Sequence, residues 1–183
     1  MNGPKMDFIL RKAALSDRPA ISLLIESSAR GLSLEEYSGE QIEAAIRSIF
    51  GVDSELISDG TYFVAEAAGG LVGCGGWSRR RTLFGGDQYA RRESDLLDPA
   101  TEAARIRAFF VDPAWARRGV GRAILERCER EARAAGFRSL ELMATLPGLK
   151  FYRAQGYVGS ERTTLKPDDG TTIDFVPMRK ELR

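Results

Sequence analysis

Hydrophobic residues recur every three or four positions in three stretches of the chain, which predicts three amphipathic helices. The first should start within residues 16–19, where a polar cap precedes a first-turn proline, and Gly31 suits a left-handed residue at its end. The second should start at Ser38, which forms a capping-box pattern with Gln41. The three stripes consist of Ile21, Leu24 and Ile25, of Ile42, Ala45, Ile46 and Ile49, and of Val120, Ile124, Cys128, Ala132 and Ala135.

Segments rich in β-branched and aromatic residues lie between these helices and predict strands. Residues 104–145 have the order strand, glycine loop, helix, strand, which is typical of a parallel β-loop-α-β unit. A short helix is predicted over 148–155, and a turn over 167–170 joins the last two strands. The fold class is therefore α/β, with a mixed sheet of the α+β type. The predicted strands cover residues 8–12, 61–67, 71–78, 104–111, 139–145, 157–166 and 171–180.

Two regions of the pattern are irregular. The strand over 71–78 contains Gly73, Gly75 and Gly76, which weaken a strand unless something approaches its backbone closely. Residues 79–100 show no clear period, and such a stretch inside a compact domain is usually functional or mobile. Periodicity alone therefore leaves both regions without an explanation.

The composition narrows the chemistry. With 183 residues, the chain is expected to form one domain over residues 1–183. It has no histidine, which excludes a Ser-His-Asp triad, a Cys-His pair and zinc motifs that need an imidazole, and no metal is expected. Cys74 and Cys128 are isolated thiols, which predicts a reducing cytoplasm. No stretch suits a signal peptide or a membrane span.

The charge is unevenly distributed along the chain. A formal net charge of +1 argues against nucleic acid or a membrane surface as a partner. However, residues 1–78 contain 6 basic and 11 acidic residues, whereas residues 79–133 contain 13 basic and 9 acidic ones. The middle segment is therefore where we expect a phosphate-bearing ligand.

The glycine loop within residues 116–125 lies in this basic segment, between a buried-type strand and an amphipathic helix. A helix that begins here presents unpaired N–H groups, and glycine lets a phosphate approach the backbone. The pattern GxG alone is also compatible with a tight turn flanked by solvated arginines. A P-loop is excluded because GxxxxGK[ST] is absent, and Ile124 stands where the dinucleotide fingerprint requires glycine or alanine.

Three ordered motifs together carry a resemblance. Residues 106–113 (IRAFFVDP) precede 115–125 (WARRGVGRAIL), residues 151–157 (FYRAQGY) fit the pattern FYxxxGF/Y, and residues 176–180 (VPMRK) follow. In this order they resemble the GNAT N-acetyltransferase superfamily over nearly the whole chain. The resemblance implies a GNAT-like fold, with a central mixed sheet of about six to seven strands flanked by about four helices.

The resemblance also implies a binding site for acetyl-CoA as cosubstrate. Backbone groups of Phe109, Phe110 and Val111 would bind the pantetheine arm and the acetyl carbonyl. The chain departs from the family pattern at Ala116, where glutamine or arginine is frequent, and at 146–148, where an asparagine is frequent near the helix start. The pyrophosphate would be cradled by Arg117, Arg118, Gly119, Val120, Gly121 and Arg122.

Acetyl transfer to an amine requires a neutral amine, stabilisation of an oxyanion and a proton for the departing thiolate. By resemblance Tyr152 is the acid, and a tyrosine with a reference pKa near 10 is protonated at neutral pH. Glu141, a carboxylate in an otherwise apolar strand, is the candidate base. Alternatively, Tyr152 only packs its helix, Glu141 is a solvated strand-edge acid, and water carries the amine proton. A backbone N–H at Phe109 or Phe110 would meet the oxyanion.

The arginines of the 79–100 loop suggest a basic rim around the acceptor, which would favour acceptors that carry a carboxylate or phosphate. A solvated basic loop explains them equally well. Cys128 faces the core in the helical pattern, which disfavours an acyl-cysteine route. The arginines are Arg79, Arg80, Arg81, Arg91 and Arg92.

We therefore expect a cytoplasmic acetyl-CoA-dependent N-acetyltransferase that acts by direct transfer in a ternary complex. Its partner would be a small-molecule or peptide amine, and a homodimer is possible. One alternative is a non-catalytic acyl-CoA-binding or sensing module of the same fold. Another is a nucleotide-binding regulator that uses the glycine loop.

Overall fold

The structure is a computed structural model that describes residues 7–166 and 170–182. Within these ranges the chain forms seven strands and five α-helices, in the order that the sequence pattern predicts except for one short helix. Most of the predicted turn over 167–170 lies outside the described residues. The elements are β1 (Ile9–Lys12), α1 (Arg18–Leu32), α2 (Gly39–Ser48), α3 (Ser54–Ser58), β2 (Tyr62–Ala67), β3 (Gly70–Ser78), β4 (Ala104–Val111), α4 (Val120–Ala134), β5 (Ser139–Thr145), α5 (Leu149–Ala154), β6 (Thr163–Leu165) and β7 (Ile173–Glu181).

The strands form one sheet in the order β1-β2-β3-β4-β5-β7-β6. Strands β4 and β5 are parallel, and every other neighbouring pair is antiparallel. This confirms the predicted mixed sheet and the parallel β-loop-α-β unit. No helix in the described part of the chain is long and apolar enough to cross a bilayer.

Local sequence signals explain where α2 and α4 form. The Ser38 hydroxyl accepts from the Gln41 N–H at 3.2 Å, and the Gln41 side chain accepts from the Ser38 N–H at 2.9 Å. This is the predicted capping box, and it satisfies two backbone donors that a helix start leaves open. In α4 four residues of the predicted stripe are buried against the sheet, namely Val120, Ile124, Cys128 and Ala132. Ala135, the fifth, lies just beyond the end of the helix and is exposed.

Two predictions about α1 and the region after α2 are wrong. Gly31 lies inside α1 rather than at its left-handed end. A β-carbon at Gly31 would overlap the ring of Pro113, so close packing, not backbone conformation, explains the glycine. The helix α3 was missed because its five residues are too few to show a period. Its start is capped by Asp53, which accepts from the Leu56 N–H at 3.2 Å.

The glycines of β3 make room for neighbouring side chains. A β-carbon at Gly73 would overlap Val120 of α4, and one at Gly75 would overlap the ring of Phe109 in β4. The structure thus explains the glycines that the sequence pattern left unexplained: side chains of the protein itself approach the backbone of this strand closely. As a result, α4 and β4 lie close enough to share one cavity.

Candidate active site

Strands β4 and β5 separate in the middle of the sheet. They pair only at Ala104 with Leu140 and at Arg105 with Glu141, so the rest of β4 has no partner in β5. A cavity of about 1040 Å³ lies at this separation. It is lined by β4, β5, α5, the start of α4, the α1–α2 region within residues 28–35, and residues 83–86.

A bulge at Ala108 changes the course of β4 just before the cavity. The φ angle of Ala108 is 53°, in the left-handed region that non-glycine residues seldom adopt. Opposite it, the register with β3 shifts between Cys74 and Gly76. The Ala108 carbonyl accepts hydrogen bonds from the Tyr62 hydroxyl at 3.0 Å and from the Cys74 thiol at 3.8 Å. These contacts hold the bulge in place.

The residues that follow the bulge, Phe109, Phe110 and Val111, all line the cavity. Because β5 does not pair with this part of β4, backbone groups on that edge are available to a ligand. One of them has a partner within the chain, since the Val111 N–H donates to the Ser28 hydroxyl at 3.2 Å. The structure thus brings the three predicted residues together along one edge of the cavity.

The N-terminus of α4 borders the same cavity. In the described chain, no acceptor pairs with the backbone N–H groups of Val120, Gly121 and Arg122, and no side chain caps the helix. Arg117 and Gly119 precede the helix with φ angles of 61° and 86°. Successive backbone N–H groups in such a turn can converge on one anion. Together with the helix dipole, these groups give the N-terminus of α4 the properties that an anion such as phosphate requires.

Cationic side chains surround this helix start. Arg117, Arg122 and Lys150 line the cavity. Arg118 does not line it, because its guanidinium carbon lies 4.2 Å from the ring centre of Trp115. The predicted cradle is therefore brought together except for the Arg118 side chain.

Tyr152 lies in α5 with its side chain against the cavity. Its ring makes edge contacts with Phe151 at 5.1 Å, Tyr157 at 5.7 Å and Phe109 at 6.3 Å. Burial raises the pKa of the hydroxyl far above its ordinary value, so the group is protonated at neutral pH. Among the described residues nothing hydrogen-bonds to this hydroxyl, which leaves its proton available to a ligand.

Glu141 is not brought together with Tyr152. It lies at the closed end of the β4–β5 pair, does not line the cavity, and accepts hydrogen bonds from Arg105 and Arg179. Both oxygens of the carboxylate therefore have an arginine partner. A carboxylate in this position connects β5 to both of its neighbours, β4 and β7, and does not line the cavity with the predicted acid.

The arginines of the 79–100 loop differ from the expected basic rim, because three of the five pair with carboxylates. Residues 83–86 of the loop line the cavity, but none of these arginines does. The loop therefore forms part of the cavity wall, and its arginines add no positive charge to the cavity lining. The pairs are Arg80 with Asp59, Arg81 with Glu102, and Arg92 with Asp53 and Glu55.

A buried ion pair beneath the cavity was missed in the sequence. Arg107 of β4 donates to Asp53, and their side chains are 1% and 0% exposed. Glu55 lies 3.4 Å from the same guanidinium, and Arg92 contacts Asp53 at 3.0 Å. The available signal was an arginine inside an otherwise apolar strand, but its partner lies far away in the chain.

Comparison with known proteins gives results of two kinds. A family model described as an acetyltransferase (GNAT) domain matches residues 58–159. An "IAA acetyltransferase" of Azospirillum brasilense is 28% identical over 152 residues, which cover 81% of this chain and 82% of that protein. The family match includes β4, the glycine loop and α5, which carry the cavity.

Solved structures share the fold. A GCN5-related N-acetyltransferase from Rhodopseudomonas palustris has a TM-score of 0.71 at 22% identity, covering 99% of this chain and 100% of that one. The PaiA N-acetyltransferase from Thermoplasma acidophilum, solved with coenzyme A, has a TM-score of 0.62 at 17% identity, covering 96% and 99%. At these identities the likeness concerns the fold.

Proposed function

The chain belongs to the GNAT acetyltransferase family, and we propose that it transfers the acetyl group of acetyl-CoA directly to a primary amine. One observation carries the proposal: the unpaired edge of β4, the free N-terminus of α4 and the buried hydroxyl of Tyr152 share a single cavity. An acyl-transfer site needs these three features together, namely a backbone edge, an anion site and a proton donor.

The residues around the cavity fit acetyl-CoA, which would supply an activated acetyl group. The N–H groups of Val120, Gly121 and Arg122 suit its pyrophosphate, with Arg117 and the Arg122 guanidinium as charge partners. The edge of β4 at Phe109 suits the extended arm and the acetyl carbonyl. A backbone N–H there would stabilise the oxyanion without any particular side chain.

Tyr152 would protonate the departing thiolate. The raised pKa keeps its hydroxyl protonated before reaction. As negative charge forms on sulfur, the O–H bond of Tyr152 would break and an S–H bond would form, and the resulting tyrosinate would regain a proton from water. Tyr152 therefore serves as the general acid in the proposal.

The proposal assigns no carboxylate base, because both oxygens of Glu141 are bound by arginines. Water would carry the proton away from the amine. An acyl-cysteine route is disfavoured because Cys74 and Cys128 are fully buried and neither lines the cavity. Burial also raises the pKa of the Cys74 thiol to about 12, so it is not a thiolate at neutral pH.

The test combines calorimetry with acetyl-CoA and an assay of thiol release over a panel of amines. We expect binding and turnover, and Tyr152→Phe should lower kcat about 100-fold while acetyl-CoA affinity stays the same. Tyr157→Phe is the matched control, because this neighbouring hydroxyl contacts Glu129 at 3.2 Å and does not line the cavity. Tight binding without turnover on any amine would indicate a non-catalytic acyl-CoA module instead.

A further inference from the structure

Four phenylalanine rings from distant parts of the chain form one wall of the cavity. Phe50 contacts Phe110 at 5.5 Å and Phe175 at 6.3 Å, and Phe84 stacks on Phe175 at 6.2 Å. All four line the cavity, and we call them the aromatic wall. Phe110 directly follows Phe109, so the wall begins next to the β4 edge where the acetyl group would lie.

Hydrogen bonds to the 79–100 loop hold this wall in place. The Gly86 N–H donates to the Ile49 carbonyl at 2.8 Å, and Gln88 donates to the Phe50 carbonyl at 2.9 Å. Arg92 donates to the Gly85 carbonyl at 2.7 Å while it contacts Asp53. The wall is therefore largely formed before a ligand arrives, which lowers the entropy cost of binding.

Aliphatic side chains continue the wall to the mouth of the cavity. Leu32 and Leu34, at the end of α1 and just after it, line the cavity and are 39% and 66% exposed. This segment is anchored by Tyr37, whose hydroxyl donates to the Asp174 carbonyl at 2.6 Å and accepts from the Leu146 N–H at 2.9 Å. Leu32 and Leu34 therefore extend the apolar lining from the aromatic wall towards solvent.

The charges around the cavity separate into two groups. Glu35 is the only carboxylate among the described lining residues, and within the described part of the chain it has no ion-pair partner. The cations Arg117, Arg122 and Lys150 belong to the glycine loop, α4 and α5, where the cosubstrate phosphates would lie. Arg107 also lines the cavity, but Asp53 already neutralises it. Among the described residues, the part formed by the aromatic wall therefore contains no cation without a carboxylate partner, although the Nε–H of Arg107 makes no hydrogen bond.

From these features we infer that the acceptor is a primary amine on an aromatic or branched aliphatic body, without a carboxylate or phosphate. This inference rests on the proposed acetyl transfer. The apolar body would pack on the aromatic wall, and its nitrogen would reach the acetyl carbonyl beside Phe109. Glu35 at the mouth would attract ammonium groups and repel anions. The sequence alone left two interpretations of the loop arginines open, a basic rim that would favour an acid-bearing acceptor and a solvated loop.

A matched pair of amines tests the inference directly. Phenylalanine and 2-phenylethylamine differ only in the carboxylate, and methylamine lacks the apolar body. We expect kcat/KM for 2-phenylethylamine to exceed that for phenylalanine by about 100-fold or more, because the carboxylate would be desolvated without a partner. It should exceed that for methylamine by about 30-fold, from burial of the ring.

Variants then locate the selectivity. Phe84→Ala should raise KM for 2-phenylethylamine about 10-fold and leave methylamine unchanged. Leu34→Ser should also raise KM for 2-phenylethylamine, and this residue is exposed, so the substitution should not disturb folding. Glu35→Gln should reduce the preference for 2-phenylethylamine over phenylalanine several-fold. Glu36→Gln, at an exposed neighbouring residue that does not line the cavity, should leave this preference unchanged.

The outcomes separate this inference from the proposed function. Efficient acetylation of phenylalanine or glutamate, with poor use of 2-phenylethylamine, would overturn the acceptor class and leave acetyl transfer intact. Acetyl-CoA binding without acetylation of any amine would overturn both. Selectivity for 2-phenylethylamine that is unchanged in Phe84→Ala and Leu34→Ser would also overturn the inference, because the wall would not be its source.

Discussion

Replacement of Asp53 by asparagine removes the negative charge that the buried Arg107 shares with Arg92. Asparagine has nearly the same shape and is an equally good helix cap, so the hydrogen bond to the Leu56 N–H can survive. The substitution removes the negative charge that faces Arg107, whose side chain is 1% exposed. The variant therefore leaves a buried guanidinium without its main counter-ion.

The expected decrease in the free energy of unfolding follows from the burial of the ion pair. Removal of one partner from a buried ion pair costs about 3–5 kcal/mol, because the remaining charge is no longer compensated. Glu55 still lies 3.4 Å from Arg107, so we expect the lower end of that range, about 3 kcal/mol. For a chain of this length, about 3 kcal/mol lowers Tm by roughly 6–12 °C.

Urea unfolding and thermal melting followed by circular dichroism would measure this loss. Asp59→Asn is the matched control, because Asp59 and Arg80 form an ion pair with side chains 14% and 28% exposed. Partial exposure lets water compensate, so about 1 kcal/mol or less should be lost there. A double variant, Asp53→Asn with Arg107→Met, should be more stable than Asp53→Asn alone.

Two results would refute this reasoning. The first is a loss in Asp53→Asn no larger than in Asp59→Asn, which would mean that burial does not set the cost. The second is a double variant that is no more stable than the single one, which would mean that the unpaired guanidinium is not the source of the loss.

Three further predictions concern the cosubstrate site and the surface charges. Gly121→Glu should abolish acetyl-CoA binding in calorimetry. Gly121→Ala, whose β-carbon would lie 3.4 Å from Phe151, should retain it. Equal acetyl-CoA affinities of the two variants would mean that the phosphates bind elsewhere. Arg117→Gly should raise the free energy of unfolding by up to about 1 kcal/mol, because glycine adopts the left-handed φ of this position without strain. The same variant should weaken acetyl-CoA binding. A lower free energy of unfolding would contradict the first expectation. Hydrogen bonds from Arg11 and Arg80 hold the pKa values of Asp17 and Asp59 below their ordinary range. The two carboxylates therefore stabilise the folded state fully above about pH 4, and this contribution is lost as the pH falls through the lowered pKa values. Urea unfolding should therefore show lower stability at pH 3 than at pH 6 and little change from pH 6 to 8, since no histidine titrates there; a slope in the upper range would show another titrating group.

Much of the fold was predictable because its signals are local. The capping box at Ser38, the stripe of α4 and the glycine turn between β2 and β3 each depend on residues a few positions apart. Such patterns act through the backbone conformation of one segment. The same holds for the phosphate site, because the glycine loop and the start of α4 are contiguous in the chain.

The tertiary structure decided the features that depend on contacts between distant segments. The separation of β4 from β5 after Arg105 created the cavity, and it has no counterpart in the periodicity of either strand. In the sequence Glu141 was a candidate base, and only the structure shows that Arg105 and Arg179 donate hydrogen bonds to its carboxylate. Gly31 was explained only by Pro113, which comes from another part of the chain.

The chemistry of the acceptor side depends most strongly on tertiary contacts. The sequence shows a loop rich in arginine, which by itself is compatible with positive charge around the acceptor and with a solvated loop. In the folded chain three of those arginines pair with carboxylates, while four phenylalanines from separate segments meet at the cavity. Sequence therefore determined the proposed phosphate site and the elements other than α3, because neighbouring residues encode them. Only the fold determined which charges are neutralised and which rings face the ligand, because those depend on residues brought together from distant positions.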